Sequence, residues 1–384
     1  MIEAESFVEA ARNAGLHRYT GVPCSFLTPF INYVINDETL SYISSANEGD
    51  AVATAAGSAI GGTGAVAMMQ NSGLGNAVSP LTSLTYVFKI PVLLITTHRG
   101  APGLKDEPQH VLMGKITGEL FETMEVPWAY FPSEETDIAP ALGKAVDYMQ
   151  QHERPYAFIM RKGTVAPHEL IRDPVARKEA GIPVEEYLFS HDNHLPSRTE
   201  AIKKIVEHTP PENTVVLATT GYTGRELYAL EDRPNQLYMV GSMGCVSSLG
   251  LGLALARPDL TVVVIDGDGA ALMRMGNFST LGSYGGNNLV HVLLDNGVHD
   301  STGAQATVSA NVNFSAIASA CGYGAVYQGE NLDVIDRCFE AVSASGPRFA
   351  HLRIRPGTID KLPRPDVSPA EVVRRLMHHI GTAF

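Results

Sequence analysis

Short apolar runs rich in β-branched residues alternate along this chain with longer stretches in which apolar positions recur every three or four residues. In the first part, residues 18–22, 64–69, 91–96 and 156–160 are near-continuous apolar runs of the length expected for strands buried on both faces. Between them the period lengthens near residues 3–14, 48–61, 74–88 and 135–152, which predicts helices. Residues 166–196 then lose the apolar period and fill with Pro and charge, among them Pro167, Arg172, Asp173, Pro174, Pro183, Glu185 and Glu186. That composition predicts a linker. Beyond it the rhythm restarts, with strands expected at 214–218, 237–240, 260–265, 289–294 and 349–354. Helices are expected near 199–208, 244–256, 270–284, 331–344 and 368–381. The pattern predicts an α/β chain of two doubly wound parallel-sheet domains, 1–165 and 197–384, joined by the linker.

A length of 384 residues suffices for two full cores, and 36 glycines suit a fold with many tight strand-to-helix turns. The net charge of −13 argues against nucleic acid or an anionic membrane surface as partner, and means that an anionic substrate needs a local cationic patch. Four cysteines without metal or redox spacing, an acidic N-terminus and no apolar run of membrane-spanning length predict a cytoplasmic protein.

The most informative motif is Asp266-Gly267-Asp268-Gly269, directly after the 260–265 run, with Asp295-Asn296-Gly297 after the 289–294 run. Two neighbouring parallel strands place Asp268 and Asn296 at the same sheet edge, the carboxyl end where open α/β sheets bind ligands. A carboxylate and an amide oxygen are hard donors suited to Mg²⁺ shared with a phosphate. The calcium-loop alternative is weak, because the twelfth position from Asp266 is Asn277 rather than Glu. A purely structural Gly-rich turn remains open from Asp268 alone; Asn296 on the next strand counts against it.

Other candidates are individually weaker. Glu48 opens a helix of small residues and reads either as a helix-dipole carboxylate or as a partly buried acid for a heterocyclic nitrogen. Gln70, Asn71 and Ser72 follow a strand end and read as pocket lining or as turn chemistry. The Gly73-Leu74-Gly75 turn is no dinucleotide fingerprint, since Val78 occupies the third glycine position. Arg99, Lys105 and His110 share one polar loop, where they suit an anionic substrate and, for His110, proton transfer; solvated loop charge is the alternative. Gly241-Ser242-Met243-Gly244 and Thr219-Thr220-Gly221 are candidate phosphate cradles at helix starts, with Met243 as core filler the alternative.

Together Glu48, the Gly241–Gly244 turn and the Gly267-Asp268-Gly269 motif with Asn296 resemble the thiamine diphosphate-dependent 2-oxo acid decarboxylases. More narrowly, Asn47-Glu48-Gly49-Asp50, Asn71-Ser72-Gly73-Leu74-Gly75-Asn76, Asp106-Glu107-Pro108-Gln109-His110 and Asp295 through Thr302 are similar to the phosphonopyruvate decarboxylase family. Sulfopyruvate decarboxylases are a close relative of similar plan. The resemblance implies the thiamine diphosphate-binding fold, with pyrimidine and diphosphate domains and no central third domain. It implies Mg²⁺ held by Asp268, Asn296 and the Val298 carbonyl. The cofactor would be cradled by Thr220, Gly221, Ser242, Met243, Gly267, Gly269, Ala270 and Asn296, with Met243 beneath its bent rings. Glu48 would bond the aminopyrimidine ring, and His110 would relay a proton. Ser25, Gln70, Asn71, Arg99, Lys105 and His110 would meet the substrate. The implied reaction turns 3-phosphonopyruvate into phosphonoacetaldehyde and CO₂, a step of phosphonate and antibiotic biosynthesis. The implied active unit is at least a homodimer, with Glu48 of one subunit serving the diphosphate site of another and a tetramer left open. Familiar members carry paired histidines where this chain has Gln109-His110, so proton delivery differs in part. The rival readings are a sulfopyruvate decarboxylase, an acetolactate-type carboligase and a non-catalytic cofactor-binding subunit; Glu48 counts against the last.

Overall fold

The computed structural model describes residues 1–172, 185–187 and 194–384. These fall into two compact units, apart from the terminal Phe384, with the division inside the stretch between Arg172 and Glu185.

The first unit is built on six parallel strands: β1 (Leu16–Gly21), β2 (Ser41–Ser44), β3 (Gly64–Met69), β4 (Leu93–Thr97), β5 (Trp128–Tyr130) and β6 (Tyr156–Met160). Their order across the sheet is β2-β1-β3-β4-β6-β5. The central strands β3, β4 and β6 are almost wholly buried, as their unbroken apolar sequences require when helices cover both faces. On one face Phe7, Phe30, Phe131 and Phe158 form a nested aromatic cluster, Phe7 and Phe131 lying 4.4 Å apart between ring centroids. The helix Glu48–Ile60 is buried from Gly49 through Ile60, which its Ala, Gly, Ser and Val sequence permits by letting backbones approach closely.

The second unit carries β7 (Glu185–Tyr187), β8 (Thr214–Ala218), β9 (Gln236–Tyr238), β10 (Thr261–Gly267), β11 (Leu289–Asp295), the small hairpin β12 (Val298–His299) with β13 (Gln305–Ala306), β14 (Ala325–Gly329) and β15 (Arg348–Arg353). The main sheet runs β7-β14-β15-β11-β10-β8-β9, all parallel. With the edge strand β7 and the hairpin set aside, its strands taken by rank in the chain follow the same order as those of the first sheet. Every loop at the carboxyl edge of one sheet therefore has a topological counterpart in the other. In both, the order reverses between the first and third strands, β1/β3 and β8/β10, the place where doubly wound sheets open a crevice.

Several expected elements differ in detail. The helix expected over 74–88 breaks at Pro80, which has no N–H to donate: Leu74–Pro80 is α-helical, Leu81–Thr85 widens into a π turn, and the Thr85 hydroxyl donates to the Leu81 carbonyl at 3.0 Å. The helix expected over 270–284 is two, Asp268–Met273 and Asn277–Tyr284, separated around Gly276. The short strands β2, β5 and β14 and the helices Thr28–Asn36, Val111–Thr123, Tyr222–Leu230 and Phe314–Ala320 add to the expected set.

The expected linker is partly structured. Its first residues dock on the first unit, where Asn32 and Asn36 donate to the carbonyls of His168 and Glu169, both at 2.8 Å. Glu185–Tyr187 pairs with β14 at the edge of the second sheet. Residues 173–184 and 188–193 of the linker lie outside the described residues.

Candidate functional site

In the second unit the turns after β8, β9, β10 and β11 share one edge of the sheet. Gly267 pairs in register with Leu294, so Asp268 and Asn296 leave adjacent strands at the same level. Asp268 is nearly fully buried and starts the short helix Asp268–Met273. Its Oδ2 accepts from the Thr307 hydroxyl at 2.5 Å, and the Thr307 N–H donates to the Gly297 carbonyl at 2.8 Å, which ties this carboxylate to the loop after β11. Burial, with the charge of Asp295 adding to it, raises the Asp268 pKa despite the Thr307 bond. Asp295 goes the other way: burial opposes its ionisation, but hydrogen bonds from His351 at 3.0 Å and Ser309 at 2.9 Å lower its pKa.

Asn296 donates its Nδ2 to Asp300 at 2.6 Å, and its Oδ1 accepts from the Val298 N–H at 3.2 Å. Among the described residues no cationic side chain pairs with Asp268, and no three His, Cys, Asp or Glu side chains gather as a metal cage. A carboxylate, an amide oxygen and a backbone carbonyl fill at most half of an octahedral shell, so this donor set fits Mg²⁺ only if a ligand brings further oxygens.

The rest of the edge forms a cradle. Gly269 has no room for a side chain, because a Cβ there would strike the His299 ring and come within 3.1 Å of the Met243 methyl. Met243 and His299 thus close on the Asp268-Gly269 turn, with Ala270 buried just behind it. Ser242 is buried and holds a left-handed backbone (φ 50°), a strained conformation for a residue with a Cβ, directly before Met243. Thr220 and Gly221 form the turn into the helix Tyr222–Leu230, and a Cβ at Gly221 would stand 3.5 Å from the Ser301 hydroxyl. Thr220, Gly221, Ser242, Met243, Gly267, Gly269, Ala270 and Asn296 therefore line neighbouring turns of one sheet edge.

In the first unit the counterpart turns gather Glu48, Gln70, Asn71, Cys24, Ser25 and Arg99. Glu48 is half-buried at the start of its helix, behind the Asn47 cap. It lies over Gly73, where any side chain would collide with its carboxyl, and its Oε2 accepts from the Asn76 amide at 2.7 Å. The Cys24 thiol donates to Gln70 Oε1 at 3.3 Å, and Gln70 donates to Ser72 at 2.6 Å. Arg99 makes a two-pronged ion pair with Asp106, at 2.7 and 2.5 Å, and turns its remaining nitrogen toward the Ser25 hydroxyl at 3.4 Å. The Asp106 carboxyl is held below the usual range, chiefly by that hydrogen bond from Arg99.

Asn71 is fully buried and spends its amide on the Arg99 carbonyl (2.8 Å) and the Thr117 hydroxyl (3.0 Å); its Oδ1 has no partner among the described residues. His110 is also buried, on a 3₁₀ turn, and its Nδ1 has no partner among the described residues. An orphaned ring nitrogen at nearly full burial is costly unless a ligand meets it. Lys105 stands exposed on the same loop. Asn76, Asp106, Asp300 and Thr307 carry much of this geometry and had no assigned part in the sequence reading. Asn76 and Thr307 reach partners 28 and 39 positions away, and Asp300 bonds both the nearby Asn296 and the distant Arg198, while Asp106 acts on the nearby Arg99 through a rotamer that spacing does not reveal.

Residues 1–120 match the N-terminal TPP binding domain of thiamine pyrophosphate enzymes, and residues 220–352 match the C-terminal TPP binding domain. The chain is 44% identical over 383 residues to a phosphonopyruvate decarboxylase of Streptomyces viridochromogenes, covering 100% of this chain and 96% of that protein. It is 44% identical over 376 residues to the phosphonopyruvate decarboxylase of Streptomyces hygroscopicus, covering 98% and 93%. In fold it is similar to a thiamine diphosphate-dependent 4-hydroxybenzoylformate decarboxylase of Rhodococcus jostii, with a TM-score of 0.71 at 12% identity, over 94% of this chain and 100% of that one.

Proposed function

This chain belongs to the phosphonopyruvate decarboxylase family of thiamine diphosphate enzymes, and from that membership we propose how its residues divide the work. The protein is a thiamine diphosphate-dependent decarboxylase that converts 3-phosphonopyruvate to phosphonoacetaldehyde and CO₂. The observation that carries this reading is 44% identity sustained over the whole chain.

Thiamine diphosphate, when bound, supplies a nucleophilic carbon and an electron sink for loss of the carboxylate. Asp268, Asn296 and the Val298 carbonyl would hold Mg²⁺, whose charge would offset the burial of the Asp268 carboxylate. Gly267, Gly269, Ala270, Thr220, Gly221 and Ser242 would hold the diphosphate end of the cofactor at the sheet edge, and Met243, which closes on Gly269, would support its ring system. Glu48, fixed over Gly73 and held by Asn76, would be the hydrogen-bonding partner of the aminopyrimidine ring. Arg99 and Ser25 receive the phosphonate, Gln70 lines the pocket, and Lys105 adds long-range attraction for the anion. Asn71 buttresses the Arg99 backbone. His110 offers its unpaired Nδ1 to the proton transfer that completes the aldehyde.

We also read the plan as two domains, 1–165 and 197–384, with no third between them. In support, only residues 161–184 lie between β6, the last strand of the first sheet, and β7 of the second, fewer than the ~50 residues of a small domain. The active unit is at least a homodimer that shares Glu48 and Asp268 between protomers. The four cysteines form no disulfide among the described residues, and no helix among them is long and apolar enough to cross a membrane; both fit a cytoplasmic protein.

The deciding experiment compares kcat/KM for 3-phosphonopyruvate and 3-sulfopyruvate with magnesium and cofactor. Preference for the phosphonate is expected; equal turnover of the sulfonate would overturn the substrate assignment.

A further inference from the structure

Behind the amide of Asn296 lies a buried ionic chain. Asp300 Oδ2 accepts from Asn296 at 2.6 Å and from Arg198 at 2.6 Å, while the Gly357 N–H reaches both its oxygens at 3.1 and 3.2 Å. Arg198 pairs on its other side with Glu226 at 2.9 Å and also donates to the Gly357 carbonyl at 3.0 Å. Glu226 is held by the hydroxyls of Thr199 and Thr358, each at 2.7 Å. The side chains of Arg198, Glu226 and Asp300 are 7%, 1% and 8% exposed. One buried cation between two buried carboxylates leaves a surplus negative charge, which is expensive unless the site has a use for it.

The use follows from the chemistry of an amide. An Asn side chain is nearly symmetric in shape, and only its neighbours determine which end carries oxygen. An ionised Asp300 only accepts, so it compels the Asn296 NH₂ to face it and turns Oδ1 away. We propose that Asp300 is a positioning residue which aims the Asn296 oxygen at the divalent cation, with Arg198 and Glu226 holding Asp300 in place. This rests on the reading of Asn296 as a metal ligand. Without the carboxylate, the amide keeps only the long bond from the Val298 N–H (3.2 Å) among the described residues, a weaker hold against flipping to present its NH₂, which cannot bind the metal. The surplus negative charge of the chain further favours a cation at this edge.

The test uses the full-length protein with thiamine diphosphate and Mn²⁺ as spectroscopic probe, reading Mn²⁺ affinity by electron paramagnetic resonance and folding by thermal melting. Asp300→Asn is isosteric and is expected to weaken Mn²⁺ binding about tenfold to a hundredfold, the usual range for a group that orients a ligand. Asn296→Asp alone sets two carboxylates against each other and also weakens binding. The double substitution Asn296→Asp with Asp300→Asn rebuilds a donor–acceptor pair with the polarity reversed and still aims an oxygen at the metal. It is expected to bind Mn²⁺ at least tenfold more tightly than Asn296→Asp alone. A role in folding alone predicts no such rescue, and a double variant no better than Asn296→Asp overturns the proposal. So does unchanged affinity in Asp300→Asn. If Asn296→Ala itself leaves Mn²⁺ affinity unaltered, the fault lies in the ligand assignment; if it abolishes binding while Asp300→Asn does not, only the positioning role fails.

Discussion

The Asn76 amide donates to the Glu48 carboxyl at 2.7 Å, and that carboxyl lies directly against Gly73. A hydrogen bond to a charged group contributes roughly 1.5–3 kcal/mol, and here it selects a single rotamer of the acid. Asn76→Ala is expected to lower kcat about tenfold to a hundredfold while changing cofactor affinity little. Steady-state kinetics beside calorimetric titration of the cofactor separates the two effects; an equal loss in both would show that Asn76 serves binding instead.

Glu48→Gln keeps the shape and an acceptor for Asn76 but removes the group proposed to transfer a proton. Turnover should fall on the order of 10²–10⁴-fold, the range for general acid–base groups, with calorimetric cofactor binding preserved. A variant as active as the parent would remove Glu48 from the mechanism.

Sharing of sites between protomers is tested by mixing. Glu48→Gln and Asp268→Ala should each be nearly inactive alone. In a randomly reassembled equal mixture, half the dimers are mixed, and one of each mixed dimer's two sites is intact. Activity should recover to about a quarter of the parent's. Sites confined to one chain would show no recovery.

Asp268 predicts a trade between stability and function. Its folded-state pKa is raised, so the ionised form is disfavoured by folding and the cost is present above the folded pKa. Asp268→Asn keeps an acceptor for Thr307 and should stabilise the apoprotein near neutral pH by about 0.5–2 kcal/mol while abolishing metal binding. The gain should shrink as pH falls through the folded pKa, which lies above the ordinary Asp range. Melting curves across pH without metal check this, and a less stable variant at neutral pH contradicts it.

Asp106 has the opposite sign. Its pKa is lowered, first by the hydrogen bond from Arg99, so its contribution is present above the unfolded value and is lost as pH falls toward the folded one. Asp106→Asn should cost roughly 1.5–3 kcal/mol near neutral pH, with parent and variant converging in acid. It should also raise KM for phosphonopyruvate more than it changes kcat, because Arg99 loses the fork that orients it.

Much of this was legible in the sequence wherever a local rule applied. The adjacency of Asp268 and Asn296 followed from two β-branched runs ending in polar turns, and β10 and β11 do pair there. Pro80 stood in plain view as the reason the 74–88 helix breaks, although apolar period alone read through it. The identical strand order of the two sheets had no local signal, since crossovers and not residues define it. Likewise Asn76 on Glu48 and Arg198 on Asp300 join residues 28 and 102 positions apart, and no pattern of spacing announces such a bond.

The repeated topology also bears on how the polypeptide can be divided. Each sheet forms its pairings within its own stretch of chain, so a break after Arg172 severs none of the strand pairings among the described residues. The two pieces are therefore suited to separate synthesis and later reunion, and a genome can encode such an enzyme as one gene or as two without redesigning a single ladder of hydrogen bonds.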